Sequence, residues 1–118
     1  MELSHVFQEL KKIMQPYAVE LDCTSDDPGN FSLDTKQIMK NKKPLFFGAV
    51  QTKKNYVSYH LMPVYVNPSL LDNISHDLKK RMQGKSCFNF KATDDELFKE
   101  LSALTQAGYE SYKQAGYV

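Results

Sequence analysis

Hydrophobic and polar residues alternate with two different periods along this chain, and these periods predict where helices and strands lie. Apolar residues recur every three or four positions over residues 3–14, which predicts an amphipathic helix that ends at Pro16. Over residues 17–23 the period falls to two, and the alternation resumes over residues 31–35 after the turn-forming segment SDDPGN. The pattern therefore predicts a helix followed by a β-hairpin.

The middle of the chain holds the segments that are richest in β-forming residues. Pro44 opens the strand LFFGAVQT, the polar turn KKN follows, and YVSYHLMPVYV forms the returning strand, which ends or lies at an edge near Pro63. Two short helices come next, and Ser75 is placed to cap the second of them. SCFNFK is predicted to be a fifth strand, and Thr93 with Glu96 forms a capping box for a long final helix.

The predicted order of elements is therefore α-β-β-β-β-α-α-β-α, and it indicates the fold class. Short connections make the first four strands antiparallel, so we predict an α+β fold with a single antiparallel sheet of about five strands and helices packed on one face. The 118 residues, 42% of them hydrophobic, suffice for one core, and we predict a single domain over residues 1–118. Two cysteines in a chain of this length form no disulfide framework, which favours reduced thiols.

Charge is unevenly distributed along the sequence although the formal net charge is only +1. Residues 1–34 hold seven acidic and two basic side chains, residues 35–91 hold eleven basic and two acidic, and residues 92–118 hold five acidic and two basic. This segregation suggests a basic surface for an anionic ligand or an acidic protein partner, although lysines that protect strand edges would give the same pattern. A nucleic acid partner is disfavoured because the net charge is close to zero.

Three stretches in order carry a resemblance to a known family. They are the hairpin KKPLFFGAVQTKKNYVSYHLMPVY, the turn and strand KRMQGKSCFNFK, and the helix DELFKELSALTQAG. Together they make residues 36–110 resemble the YdhG-like domain family of small bacterial proteins. The family is similar to the frataxin-type α/β sandwich, and some members are described as iron chaperones. The resemblance thus implies a binding or delivery role rather than catalysis, with iron as a candidate cofactor.

The returning strand YVSYHLM offers a candidate ligand-binding wall. Alternation places Tyr56, Ser58, His60 and Met62 on one face and the apolar residues between them on the other. If the apolar face meets the helices, the polar and aromatic face lines an open concavity that suits a small ligand. A histidine that is simply solvated is the alternative.

The turn before the fifth strand holds the second set of candidates. Lys85, Ser86 and Cys87 lie between a helix end and a strand whose alternation turns Cys87 away from Phe88 and Phe90. A reactive thiol needs a lowered pKa, and a helix C-terminus gives the opposite effect, which favours a structural thiol. The alternative is an enzyme that uses Cys87 together with a histidine such as His60.

Carboxylates in the first hairpin form a candidate metal site. Glu20 and Asp22 are predicted to share the outward face of one strand, with Asp34 across from them on the next. Clustered oxygen ligands suit a hard cation or weak ferrous binding. A solvated strand face is the alternative.

These observations favour a non-enzymatic binding domain for a metal ion or a small anionic ligand. The alternatives are the Cys87 and His60 enzyme, and a self-associating module or homodimer whose tyrosine-rich tail packs on another copy. No apolar run approaches the roughly 18 residues that a membrane span needs. The N-terminus also lacks the apolar block of a secretory signal, so we expect a cytoplasmic protein without a membrane partner.

Overall fold

A computed structural model describes residues 2–118 and confirms the predicted fold class. Five strands form one antiparallel sheet in the order β1-β2-β3-β4-β5, so that each strand pairs with its neighbour in sequence. The elements are α1 (Glu2–Met14), a 3₁₀ helix (Gln15–Val19), β1 (Asp22–Asp27), β2 (Asn30–Ile38), β3 (Pro44–Thr52), β4 (Val57–Leu61), α2 (Met62–Val66), a second 3₁₀ helix (Pro68–Leu71), α3 (His76–Lys79), β5 (Cys87–Phe90) and α4 (Asp95–Gln114).

The hydrophobic core lies between the sheet and the two long helices, α1 and α4. Phe31, Val50, Tyr59 and Phe88 are register partners on four successive strands, and all four side chains are buried. Directly paired residues in antiparallel strands point to the same side, so this row defines the face that the helices cover. The opposite face carries the residues in between and is left uncovered by α1 and α4.

Gly48 allows α1 to lie close to the sheet. Met14 of α1 packs directly on Gly48, and a Cβ atom added there would meet the Met14 side chain and would lie 2.7 Å from the main-chain oxygen of His60. Only a residue without a side chain fits between a helix and a neighbouring strand at that separation. Glycine at this position therefore sets the distance between α1 and the sheet.

The predicted strand over residues 17–23 is wrong for its first half. Residues 15–19 form a 3₁₀ helix, and Val19, which the alternation placed inside, is 85% exposed. Pro16 stands in the first turn of this helix, where its fixed φ and missing N–H are tolerated. Tyr17 packs on Phe47 and Tyr109, so its burial comes from a helical turn and not from a strand.

The returning strand is shorter than the sequence predicts. β4 ends at Leu61, and Met62–Val66 forms a short helix with Pro63 in its first turn. Proline cannot donate to a ladder but suits the start of a helix, which explains why the chain leaves the sheet there.

The helix caps agree with the sequence at one helix and differ by one residue at the other. Ser75 caps α3 by accepting a hydrogen bond from Leu78 N at 3.1 Å. Asp94 replaces the predicted Thr93 as the cap of α4, and its Oδ1 accepts from Leu97 N at 3.1 Å. A carboxylate at this position also interacts favourably with the positive end of the helix dipole.

The two edges of the sheet differ. Residues 81–83 run along the outer edge of β5, where Asn89 N donates to Arg81 O at 2.8 Å and Gln83 N donates to Cys87 O at 2.9 Å. β1 is the other edge, and within residues 2–118 no strand pairs with its outer side. This open edge carries three aspartates: Asp22, Asp26 and Asp27.

The tyrosines of the C-terminal segment pack on their own chain. Tyr112 is buried, donates to Phe46 O at 2.9 Å and contacts the ring of Tyr117. Tyr109 stacks against Tyr17. Tyr112 is therefore buried within one chain, while Tyr109 and Tyr117 are partly exposed. Between residues 2 and 118, no helix combines the length and the apolar character needed to cross a lipid bilayer.

Candidate functional site

The uncovered face of the sheet brings three of the predicted site residues together. Its register sets His60 beside Cys87 across β4 and β5, and sets Ser58 beside Asn89 in the next row. Ser58 is buried, while His60, Cys87 and Asn89 are half-buried. The center of the face is therefore a shallow polar surface formed by β4 and β5.

Hydrogen bonds fix the orientation of these polar side chains. Ser58 Oγ and Cys87 Sγ both donate to Asn89 Oδ1, at 2.9 and 3.3 Å. Asn89 Nδ2 in turn donates to Gln83 Oε1 at 2.7 Å. Ser58, Cys87 and Asn89 each have a hydrogen-bond partner inside this network, so the surface is preorganised. Gln83 uses only its Oε1 in the network, which leaves its two amide N–H groups available to a ligand.

Cys87 and His60 are in contact, but their ionisation differs from that of an activated thiol. Cys87 Sγ lies 4.0 Å from His60 Nε2. Burial raises the pKa of the Cys87 thiol, and burial together with the positive charge of Lys53 lowers the pKa of the His60 imidazole. Near neutral pH the pair is therefore a neutral thiol beside a neutral imidazole, whereas a nucleophilic cysteine requires the thiolate.

A basic cavity of about 610 Å³ adjoins this polar network at the edge of the sheet. Three of its side chains are cationic, and none is acidic. The lining residues, which define the basic cavity, are Asn55, Tyr56, Lys80, Arg81, Met82, Gln83, Asn89 and Lys91. Among the described residues the ion pairs involve Lys11 and Lys12 only, so no carboxylate is within ion-pair distance of the cations of the cavity. Asp94 lies nearby, since it lines a neighbouring smaller cavity together with Arg81 and Lys91.

The apolar cleft, of about 760 Å³, lies next to the basic cavity and shares Met82 with it. It is lined by Val64, Tyr65, Val66, Pro68, Leu71, Met82, Gly84 and Lys85. Lys85 Nζ lies 6.0 Å from the centroid of the Tyr65 ring, so the ammonium group sits at the rim of an otherwise apolar surface. Met82 is thus the boundary between a cationic and an apolar cavity.

The other predicted ligand-binding residues do not share one wall. Tyr56 lies before β4 and lines the basic cavity. Met62 begins α2 and has left the strand, so its predicted place beside Ser58 and His60 is wrong. Ser86 is bonded to the end of β4 through its main chain, because its carbonyl oxygen accepts a hydrogen bond from Leu61 N at 2.8 Å.

The predicted carboxylate cluster is not assembled. Asp22 and Asp34 are paired across β1 and β2, and burial together with the charge of Asp22 raises the pKa of Asp34. Glu20 lies outside the strand, at the end of the 3₁₀ helix. Its negative charge adds to the effect of burial in raising the pKa of the Tyr109 hydroxyl. Within residues 2–118, no group of three or more His, Cys, Asp or Glu side chains is placed to hold a metal ion.

Of the residues that line the basic cavity, the sequence identified only Tyr56 as a candidate for ligand binding. Asn89 and Gln83 carry no sequence signal of their own. Lys80, Arg81 and Lys91 were counted only as part of a basic segment. The basic character of KKRMQGK was a visible signal, but the convergence of these residues with Asn55 and Tyr56 depends on the pairing of β4, β5 and residues 81–83.

Comparisons with known proteins do not extend this description. No family model, no curated protein and no solved structure matches the chain. The resemblance to the YdhG-like family therefore rests on the three sequence stretches alone.

Proposed function

We propose that this chain is a non-enzymatic binding domain that takes a small anionic ligand in the basic cavity. The observation that supports this proposal is the convergence of Lys80, Arg81 and Lys91 on a cavity whose lining contains no acidic side chain. Cations that have no ion-pair partner and lie beside a preorganised polar network attract a carboxylate or a phosphate, which can form charge-assisted hydrogen bonds with them. A binding role also agrees with what the resemblance to the YdhG-like family implies.

The side chains of the cavity divide the work of recognition. Arg81 offers a planar fork that can bind two oxygens of one anion, while Lys80 and Lys91 act as point charges. Gln83 accepts from Asn89 through its Oε1, which leaves its N–H groups to donate to a ligand oxygen. The ring of Tyr56 supplies an apolar wall that limits the size of the ligand.

The test is a titration with inorganic phosphate and with citrate, followed by amide chemical shifts. We expect saturable shifts in residues 80–83 and 89–91. Arg81→Gln should weaken binding about tenfold or more, because a hydrogen bond to a charged group contributes about 1.5–3 kcal/mol. Lys99→Gln is the matched control, since Lys99 is an exposed cation on α4 outside the cavity. Equal weakening by both variants, or no shifts at all, would refute the proposal.

An enzyme that uses Cys87 and His60 is a second candidate, favoured by the 4.0 Å contact between the two side chains. The directions of their pKa shifts oppose it. Alkylation by iodoacetamide separates the two functions if it is measured in a Cys23→Ser background, because Cys23 is exposed and would react first. We expect Cys87 to react more slowly than a free thiol at pH 7. Rapid alkylation that is lost in His60→Gln would support the enzyme instead.

A further inference from the structure

The apolar cleft has no role in binding a small hydrophilic anion, yet it adjoins the cavity proposed for one. We propose that the ligand is amphipathic, with an anionic head group in the basic cavity and a short hydrocarbon tail in the apolar cleft. This inference rests on the proposed function and specifies its ligand class. Met82 is the feature that joins the two parts, because it lines both cavities.

The cleft is suited to a hydrocarbon tail because it keeps apolar side chains at the surface. Tyr65 is 54% exposed and Val66 is 45% exposed, and both lie on the wall of the cleft. Single exposed apolar side chains are common, but neighbouring ones that form a contiguous patch are a mark of a binding surface. A tail that covers them would gain the free energy of removing that surface from water.

The wall of the cleft is anchored to the core, which makes the site largely preformed. Pro63 and Val64 of α2 are buried, and Pro63 packs against Gly108 of α4 so closely that a Cβ atom on Gly108 would lie 2.9 Å from Pro63 Cβ. The outward-facing half of the same short helix carries Tyr65 and Val66. A ligand therefore meets a surface whose backbone is already fixed, and little ordering free energy opposes binding.

The charges around the cleft identify an anionic amphiphile rather than a neutral or cationic one. Lys85 lies at the rim of the cleft, and Lys80, Arg81 and Lys91 lie beyond Met82. No acidic side chain lines either cavity. Met82 itself suits the position between them, since an unbranched and polarizable side chain can adapt to the curvature of a tail that passes over it.

The experiment measures binding of acetate, hexanoate, octanoate and decanoate below their micellar concentrations, with decyl phosphate as a second head group and decanol as a tail without charge. We expect the affinity to rise two- to fourfold for each added methylene, as partial to full burial of each group predicts. Amide shifts should spread from residues 80–83 to residues 64–66 and 84–85 as the tail lengthens. Decanol should bind at least tenfold more weakly than decanoate.

A pair of valine variants tests whether the tail lies in the cleft. Val66→Ser should weaken decanoate severalfold and leave inorganic phosphate unchanged, because Val66 lines the cleft and not the basic cavity. Val19→Ser is the matched control, since Val19 is an exposed valine on the 3₁₀ helix near the N-terminus and lines neither cavity. Equal effects of the two variants would overturn the placement of the tail.

The outcomes distinguish this inference from the function on which it rests. If phosphate binds at residues 80–83 but the affinity for carboxylates does not depend on tail length, the amphipathic ligand is refuted and the anion site stands. Decanol binding as tightly as decanoate would also overturn it, because the head group would then contribute nothing. Failure of both phosphate and decanoate to bind would overturn the two proposals together.

Discussion

The hydrogen bond between Tyr59 and Thr105 gives a quantitative test of how β4 is attached to α4. Tyr59 is fully buried, and its hydroxyl oxygen lies 2.6 Å from Thr105 Oγ1. Thr105 Oγ1 also lies 2.8 Å from the main-chain oxygen of Leu101, to which it donates its only proton. The Tyr59 hydroxyl must therefore be the donor in the bond that joins the strand to the helix.

This assignment predicts different costs for removing the two partners. In Tyr59→Phe, Thr105 keeps its hydrogen bond to Leu101 and loses only one donor to its oxygen, so the free energy of unfolding should fall by about 1 kcal/mol. In Thr105→Val, the buried Tyr59 hydroxyl has no acceptor, and the loss should lie between about 1 and 3 kcal/mol. The double variant should cost no more than Thr105→Val alone, because it removes the unsatisfied donor as well.

Urea unfolding followed by far-UV circular dichroism measures these differences, provided that all four proteins unfold with the same dependence on urea concentration. The double-variant cycle should give a coupling of at least about 0.5 kcal/mol, the usual lower limit for side chains in contact. If Thr105→Val is no more destabilising than Tyr59→Phe, the assigned direction of the hydrogen bond is wrong. If the two losses simply add, the bond itself contributes nothing to stability.

Three further predictions concern the close approach of α1 to the sheet, the ionisation of His60 and the cap of α3. Gly48→Ala should destabilise the fold by about 1–3 kcal/mol in urea unfolding, because the new Cβ would meet the main-chain oxygen of His60. A loss near zero would contradict this account of the close approach. His60→Gln should reduce the fall in stability between about pH 7 and pH 5. Burial lowers the pKa of the His60 imidazole, so the unfolded chain binds this proton more readily than the folded chain does. The free energy of unfolding therefore falls as the pH drops below the pKa of a histidine in the unfolded chain. A pH profile that is the same with and without His60→Gln would refute this. Ser75→Ala should cost about 1–2 kcal/mol, since it removes both the cap of α3 and the hydrogen bond that Ser75 Oγ donates to Glu100 Oε1 at 2.7 Å, and a loss near zero would show that both are dispensable.

The sequence predicted the parts of the fold that depend on local patterns. The alternation in β2 and β4 separated the residues that face the helices from those that do not, because a half-buried strand repeats its environment every two residues. It failed over residues 17–19, where the short alternation also fits a 3₁₀ turn that packs Tyr17 on Phe47. Pro16 was interpreted only as the end of α1, although it also begins the next turn.

The candidate site was only half predictable for a related reason. The alternation in β4 and β5 sufficed to place His60 and Cys87 on the face away from the core, but their contact depends on the register between two strands that are far apart in sequence. The basic cavity depends in addition on the path of residues 81–83 along the edge of β5. Long-range pairings of this kind leave no periodic signal in the sequence.

The aspartates of β1 have a consequence for the behaviour of the protein at high concentration. If two copies joined through this open edge with their β1 strands antiparallel and fully overlapped, Asp22 of each would stand opposite Asp27 of the other. Like charges directly across a ladder repel each other, and charged edges are a common protection against aggregation. Acid strong enough to protonate these carboxylates would remove the protection, so the protein should pair into dimers through β1 when the solution is acidified.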